Sequence, residues 1–184
     1  MKRLFDILVA FVALFVLAIP LLGVALAVRL SDGGPAFYRQ RRVGRGCMPF
    51  EMLKFRSMVV NADKVGGFAT ASNDARITSI GRVLRRTSID ELPQLWNVLV
   101  GDMSLVGPRP DVPAQESLYD PEDWKMRHSV RPGLTGLAQA TTRSMGTFEQ
   151  RTAMDLQYVR QANLWLDLRI LVMTVRQIVA PTGN

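Results

Sequence analysis

The stretch ILVAFVALFVLAIPLLGVALAV, Ile7 to Val28, decides how the rest of this chain is read. It runs for 22 residues without a charge, long enough to cross the ~30 Å hydrocarbon core of a bilayer. Pro20 lies just past its middle. Lys2 and Arg3 precede it, and Arg29, Arg39, Arg41, Arg42 and Arg45 follow. A crossing helix carries its positive charge mainly on the cytoplasmic side, yet here both flanks are basic. Two readings meet these facts. In one, the helix enters the membrane, breaks near Pro20 and returns to the same face, because proline lacks an N–H and crowds the preceding turn. In the other, the segment is an ordinary span with a proline kink, which membrane helices tolerate. A cleaved signal sequence fits less well. The apolar run is too long for its hydrophobic region, and no small-x-small cleavage site precedes Arg29.

The 184 residues divide naturally into a membrane helix, 1–30, and one further domain, 31–184. A net charge of +7 and a pI near 10.3 direct the chain toward anionic partners. Beside a membrane segment, lipid headgroups and phosphorylated substrates are the better candidates. No nucleic-acid motif is visible, so nucleic acid is not an expected partner. A single cysteine, Cys47, excludes an internal disulfide and fits a reducing compartment. A single histidine, His128, disfavours a His/Cys zinc site.

Downstream, Ser31 to Pro35 is a turn signal, and Phe37 to Arg45 is a basic run. Phe50 to Met58 alternates roughly as a short strand. Asn61 to Asn73 reads as a mobile loop, Ile77 to Arg86 as helical, and Leu92 to Val100 as a helix ended by Gly101. Gly107-Pro108-Arg109-Pro110 and Arg131 to Gly136 are rigid loops, and Pro121 to Arg131 is a short helix. Phe148 to Val179 is the longest helical pattern after the N-terminus. Its Leu164–Leu171 portion suits either a helix in the membrane interface, with Trp165 at the headgroups, or a core helix.

The chemistry concentrates in Arg85-Arg86-Thr87-Ser88-Ile89-Asp90-Glu91-Leu92-Pro93-Gln94. Ser88 to Glu91 has the S-x-x-E form of a capping box. Alternatively the helix starts at Asp90, which keeps Pro93 in the first turn where proline is tolerated. Either way two carboxylates sit at a helix start, where free N–H groups favour anions, behind two arginines. Alone, an Asp-Glu pair at a helix start is also what a well-capped surface helix carries.

The pair has company. Asp90-Glu91-Leu92-Pro93-Gln94, Asn97-Val98-Leu99, Gly101-Asp102-Met103-Ser104-Leu105-Val106-Gly107-Pro108-Arg109-Pro110 and Arg131-Pro132-Gly133-Leu134-Thr135-Gly136-Leu137-Ala138-Gln139 together resemble the small monotopic phosphoglycosyl transferases, the bacterial sugar transferase family. Lys54-Phe55-Arg56-Ser57-Met58 before the pair, and Asp155, Tyr158 and Leu166-Asp167-Leu168 after it, extend the resemblance over nearly the whole chain. The large polytopic members carry extra N-terminal helices, so this chain resembles the minimal catalytic unit.

The resemblance implies an α+β fold: a re-entrant membrane helix, then a small, mainly helical cytoplasmic catalytic domain with interfacial amphipathic helices, at the bacterial inner membrane. It implies transfer of a sugar phosphate from a UDP-sugar to a polyprenol phosphate, usually undecaprenyl phosphate, with release of UMP. Asp90 would be the nucleophile, and Glu91 would help hold Mg²⁺. Lys54 and Arg85 match positions that contact substrate phosphates, and Arg109 matches a loop near the nucleotide. Arg143 falls at a turn where the family often has Asn-Gly-Arg; here Thr141 and Thr142 precede it. Asp167 matches a carboxylate near the active site. Arg39, Arg41 and Arg42 are expected against anionic membrane lipid. At the proline the family often shows Ser-Pro where this chain has Ile19-Pro20, so the bend would rely on Pro20 and packing. Two other classes stay open on the residues alone: a membrane-bound phosphatase or phosphodiesterase using the same acids, and a non-catalytic basic membrane adaptor.

Overall fold

A computed structural model describes residues 1–62, 74–142 and 146–179. The chain is a mixed helical and sheet protein, mostly helical. Helix α1, Lys2–Asp32, is followed by strands β1, Phe37–Val43, and β2, Pro49–Phe55. Helix α2, Ser79–Thr87, a 3-10 turn, Ile89–Glu91, and helix α3, Gln94–Val100, come next. Then follow β3, Ser104–Val106; a 3-10 segment, Pro113–Leu118; α4, Pro121–Arg127; β4, Gly133–Thr135; α5, Leu137–Thr142; α6, Phe148–Gln161; and α7, Leu164–Val179. The expected mobile loop falls largely on residues 63–73, and Arg143 on 143–145; both lie outside the described residues.

The helical assignment of α1 continues through Pro20, so the expected break does not interrupt it. At 1.5 Å per residue it is about 46 Å long. Both of its ends dock on the same domain. Near the N-terminus, Arg3 donates to the carbonyls of Val98 at 2.6 Å and Leu99 at 2.9 Å, where the end of α3 leaves acceptors unpaired. Asp6, fully buried, accepts from Ser104 Oγ at 2.9 Å and the Leu105 amide at 3.3 Å. Lys2 Nζ reaches Asp167 at 2.6 Å and the Val106 carbonyl at 3.3 Å. Near the C-terminus, Val28 packs with Phe55 and Leu84, and Asp32 accepts from Arg56. Between these anchors Phe11, Val12, Phe15, Val16, Ile19 and Leu22 are exposed. An apolar surface this continuous marks a contact with lipid or protein rather than water.

The basic run hides a strand. β1 pairs antiparallel with β2, Tyr38 opposite Lys54 and Arg42 opposite Phe50. Side chains alternate across a strand, so Tyr38, Gln40 and Arg42 share one face with Lys54, while Arg39 and Arg41 occupy the exposed other. The open edge of β2 is satisfied by one side chain: Asn97 of α3 donates to the Glu51 carbonyl at 2.8 Å and accepts from the Leu53 amide at 2.9 Å. That clamp fixes the hairpin against the helix following the acidic pair.

The two rigid loops meet as a parallel pair, β3 and β4. The Gly107 amide donates to Thr135 O and the Gly133 amide to Pro108 O, each at 2.9 Å. A Cβ on Gly107 would lie 2.4 Å from the Arg131 carbonyl oxygen, so only glycine permits this approach. The main core gathers Leu95, Val98, Met103, Leu105, Val106, Tyr158 and Ile170.

The long Phe148–Val179 pattern is two helices. Thr147 and Gln150 form a capping box at the start of α6. Asn163 stops the run, its Oδ1 accepting the Leu166 amide at 2.9 Å in the manner of an N-cap. Helix α7 has one buried face and one open face: Asp167 and Ile170 are fully buried, whereas Trp165 is 82% exposed and Val172 and Val175 lie open.

Candidate active site

The acidic pair sits on a tight turn between two helices. The expected capping box does not form. Ser88 instead ends α2 in the left-handed conformation, φ 58°, and makes no side-chain cap bond. A non-glycine residue there carries strain, and this kink turns the chain so that Ile89–Glu91 forms a 3-10 turn ahead of Pro93 and α3. Asp90 is therefore the middle of that turn rather than the cap of a longer helix.

Glu91 is the hub of the site. Its Oε1 accepts from Lys54 Nζ at 3.2 Å and from Arg109 Nη2 at 2.7 Å. Burial alone would push its carboxyl up, but the charges of Arg109 and Lys54, with their hydrogen bonds, hold it down to about 2. Glu91 is thus a fixed anion at any physiological pH. Lys54 is displaced the other way: burial, then repulsion from Arg109, lowers its ammonium from the usual lysine range, and Glu91 partly opposes this. Asp90 is 7% exposed. Its carboxyl is raised, first by burial and then by the neighbouring Glu91, while Lys54 and Arg85 pull it back. Two adjacent carboxylates thus have their proton affinities driven apart, as expected where they take different roles. Arg85 is placed by a 2.9 Å bond from Nε to Ser57 Oγ.

A cleft of about 700 Å³ opens beside Glu91, with Arg42, Arg109, Arg127, Arg151 and Gln139 among its walls. That size suits a small-molecule site. Glu91 and Arg109 line it; Lys54 adjoins it through its bond to Glu91, and Asp90 precedes Glu91 on the same turn. So the structure joins Lys54, Asp90, Glu91 and Arg109 in one cluster, with Arg85 at its edge. It does not bring Asp167 there. Asp167 is 1% exposed and holds Lys2 at 2.6 Å and the Tyr158 hydroxyl at 2.7 Å, a clamp between α7, α6 and the start of α1.

Two features escaped the sequence reading. Arg42 was grouped with the lipid-facing arginines, yet it faces the cleft, its Nη1 donating to the Pro110 carbonyl at 2.8 Å. Strand alternation was the signal that separates it from Arg39 and Arg41. The second is a buried charge cluster. Arg127 donates to Asp155 at 3.0 and 2.8 Å, to Asp111, and to the Arg109 carbonyl at 2.7 Å. It holds the main chain of the arginine that grips Glu91. No local motif announces it, because its members come from α4, α6 and the Pro110 loop.

The donor set also bears on metal. Among the described residues no group of three His, Cys, Asp or Glu side chains converges, and Glu91 Oε2 carries no bond to a described residue. One ionised carboxylate beside a second, with phosphate oxygens to complete the shell, is the kind of site Mg²⁺ uses.

The family model for bacterial sugar transferases matches residues 1–181. The UDP-glucose:undecaprenyl-phosphate glucose-1-phosphate transferase of Escherichia coli K12 is 44% identical over 183 residues, covering 95% of this chain and 39% of that protein. A protein of the same name from Caulobacter vibrioides is 43% identical, covering 97% of this chain and 69% of its own. The exopolysaccharide production protein PSS of Rhizobium leguminosarum is 44% identical, covering 95% of this chain and 93% of its own. The chain thus spans about two fifths of the length of the E. coli relative. With a match that extends from α1 through the acidic pair to α7, this chain belongs to the bacterial sugar transferase family.

Proposed function

We propose that the chain transfers a sugar phosphate from a UDP-sugar to undecaprenyl phosphate, releasing UMP, at the cytoplasmic face of the bacterial inner membrane. The observation that carries this is the Asp90–Glu91 turn: one buried carboxylate beside one fully ionised carboxylate, the latter gripped by Lys54 and Arg109. In the first half-reaction an ionised Asp90 oxygen attacks the phosphorus that bears the sugar. The bond from that phosphorus to the bridging oxygen breaks, and UMP leaves with the electron pair. In the second, a phosphate oxygen of the lipid acceptor attacks the same phosphorus and releases the Asp90 carboxylate. A carboxylate is a competent nucleophile once the phosphoryl oxygens are neutralised. Lys54 and Arg109 supply that charge, and Lys54 and Arg85 favour the ionised form of Asp90 against its burial. Glu91, with Asp90 beside it, would hold Mg²⁺, which would neutralise developing phosphoryl charge.

The membrane reading is part of the proposal. Ala10 and Val28 are buried in the two apolar clusters of one domain while Phe11, Phe15, Val16 and Ile19 stay exposed, which favours a helix whose two ends stay on one side of the membrane. An ordinary span would leave one end across roughly 30 Å of hydrocarbon from the domain. Anchoring at both ends would hold the acidic pair at the depth of a lipid phosphate.

The test is a half-reaction. Enzyme given UDP-sugar without acceptor should release about one equivalent of UMP and stop. Its intact mass should rise by one sugar phosphate, mapped to the peptide holding Asp90. Asp90→Asn should lose both signals. Absence of UMP until polyprenol phosphate is added would refute the covalent route, and continued release without acceptor would mean a hydrolase.

A further inference from the structure

We propose that Arg42 is a phosphate-binding cation of the cleft, contacting the diphosphate of the sugar nucleotide from the hairpin side; the inference rests on the sugar-phosphate transfer reading. Three observations carry it. First, strand pairing puts Arg42 on the same face of the hairpin as Lys54, and its side chain lines the cleft together with Glu91 and Arg109. Second, the local charge does not balance. Lys54, Arg109 and Arg42 are three cations, and the two carboxylates beside them are Glu91, paired with Lys54 and Arg109, and Asp90. Arg42 has no carboxylate partner among the described residues; its bonds go to neutral oxygens, the Pro110 carbonyl at 2.8 Å and Gln40 Oε1 at 3.1 and 2.7 Å. Third, those bonds use three of the five N–H groups of a guanidinium. One hydrogen remains on each terminal nitrogen, the fork that suits phosphate oxygens.

Burial and the charge of Arg109 push the Arg42 guanidinium down to about 10, so the site carries a repulsion that an anion between the two arginines would relieve. The bonds to Gln40 and Pro110 hold the guanidinium in place before any ligand arrives, and such preorganisation lowers the cost of binding. Phosphate oxyanions are the shared chemistry of donor and lipid acceptor. The nucleotide is favoured because Arg42 stands on the cleft wall beside Pro110 and Arg109, and not on the exposed hairpin face with Arg39 and Arg41.

The experiment measures equilibrium binding of UDP, uridine and a short polyprenyl phosphate to the full chain in detergent. It compares the wild type with Arg42→Gln and Arg42→Met, and needs no turnover. Loss of one charged hydrogen-bonding partner should weaken UDP by about 10- to 100-fold, with uridine within about twofold and polyprenyl phosphate unchanged. Arg42→Lys should recover part of the UDP affinity. Unchanged UDP affinity in a neutral variant that melts like the wild type overturns the proposal. So does an equal loss for UDP and uridine, which would make Arg42 an anchor of the Pro110 loop, and so does a loss confined to polyprenyl phosphate. If all three variants, lysine included, fail to fold, Arg42 is structural and the proposal falls. Failure of the transfer reading itself would appear separately, as wild-type protein that binds UDP but never releases UMP from a UDP-sugar.

Discussion

Replacing Arg127 by methionine keeps a similar volume and removes the cation from the cluster that backs the Arg109 loop. Arg127 is 5% exposed and bonds Asp155, Asp111 and the Arg109 carbonyl. The substitution strands two buried carboxylates, 4% and 5% exposed. Removing one partner of a buried pair costs about 3–5 kcal/mol. For a chain of this size that lowers the thermal midpoint by roughly 6 to 20 °C. Tyr119, which donates to Asp111 at 3.2 Å, offsets a little of the loss. The assay is thermal melting by circular dichroism in detergent, run as a double-mutant cycle with Asp155→Asn. Residues that share a hydrogen-bonded network couple by about 0.5–3 kcal/mol, so the double variant should cost less than the sum of the singles. The pH dependence is a second check. Burial already raises the Asp155 carboxyl, and Arg127 opposes that. Without the cation the carboxyl rises further, so folding then favours the protonated form. Stability of Arg127→Met relative to the wild type should therefore improve as pH falls and worsen as pH rises through the raised value. A cost below about 1 kcal/mol, or strict additivity with Asp155→Asn, would refute the reasoning.

Glu91→Gln tests the hub. Its folded value near 2 lies below the ordinary 4.5, so the carboxylate contributes roughly 3 kcal/mol at neutral pH. Part of that is offset by the lowered lysine beside it. The contribution is fully present above about pH 5 and vanishes as pH falls through 2, so melts of wild type and variant should converge in acid; a constant gap would sink the assignment. The same variant should turn over far more slowly and respond less to added Mg²⁺, measured as UMP release against metal concentration. Gly107→Ala should destabilise by more than about 1 kcal/mol and raise the KM for UDP-sugar, because its Cβ would press on the Arg131 carbonyl oxygen and separate the two loops. A wild-type melt and KM would show that the backbone absorbs the clash. Cysteines placed near Lys2 and at Arg45, with Cys47 removed, should both label only from the cytoplasmic side. Labelling of the first from outside intact cells would rule out a returning helix, and Pro20→Leu asks whether the proline or the docking of both ends sets the topology.

The parts of this fold that could be read early are those whose signal is local. Ile7–Val28 announces its helix by composition, and Gly101 ends α3 as expected, with φ 106°. The loops around Gly107 and Gly133 carry their own rigidity in glycine and proline. The acidic pair was visible because its residues are adjacent. The Ser88 kink was not, because S-x-x-E fits a cap equally well and only the packing of α2 against the following turn selects the left-handed backbone. β1 was obscured by its arginines, whose alternate residues face different surroundings. Asp167 illustrates the other limit. Its neighbours along the chain point to a site residue, but its charge is met by Lys2, and no pattern within α7 could reveal a partner at the opposite end of the sequence.

That same pairing has a consequence for how the protein is made. Lys2 and Asp167 are 165 residues apart, and Asp6 finds Ser104 98 residues on. At about 5–20 residues per second, synthesis separates Lys2 from Asp167 by roughly 8 to 33 s. During that interval the apolar helix has already emerged, with a lysine, an arginine and an aspartate at its leading end and no docking surface for any of them. Its early company is therefore not its own domain. Helix α7 is made after α1 and locks it in place, so a chain that stops before α7 has its acidic turn complete but the clamp on Lys2 open.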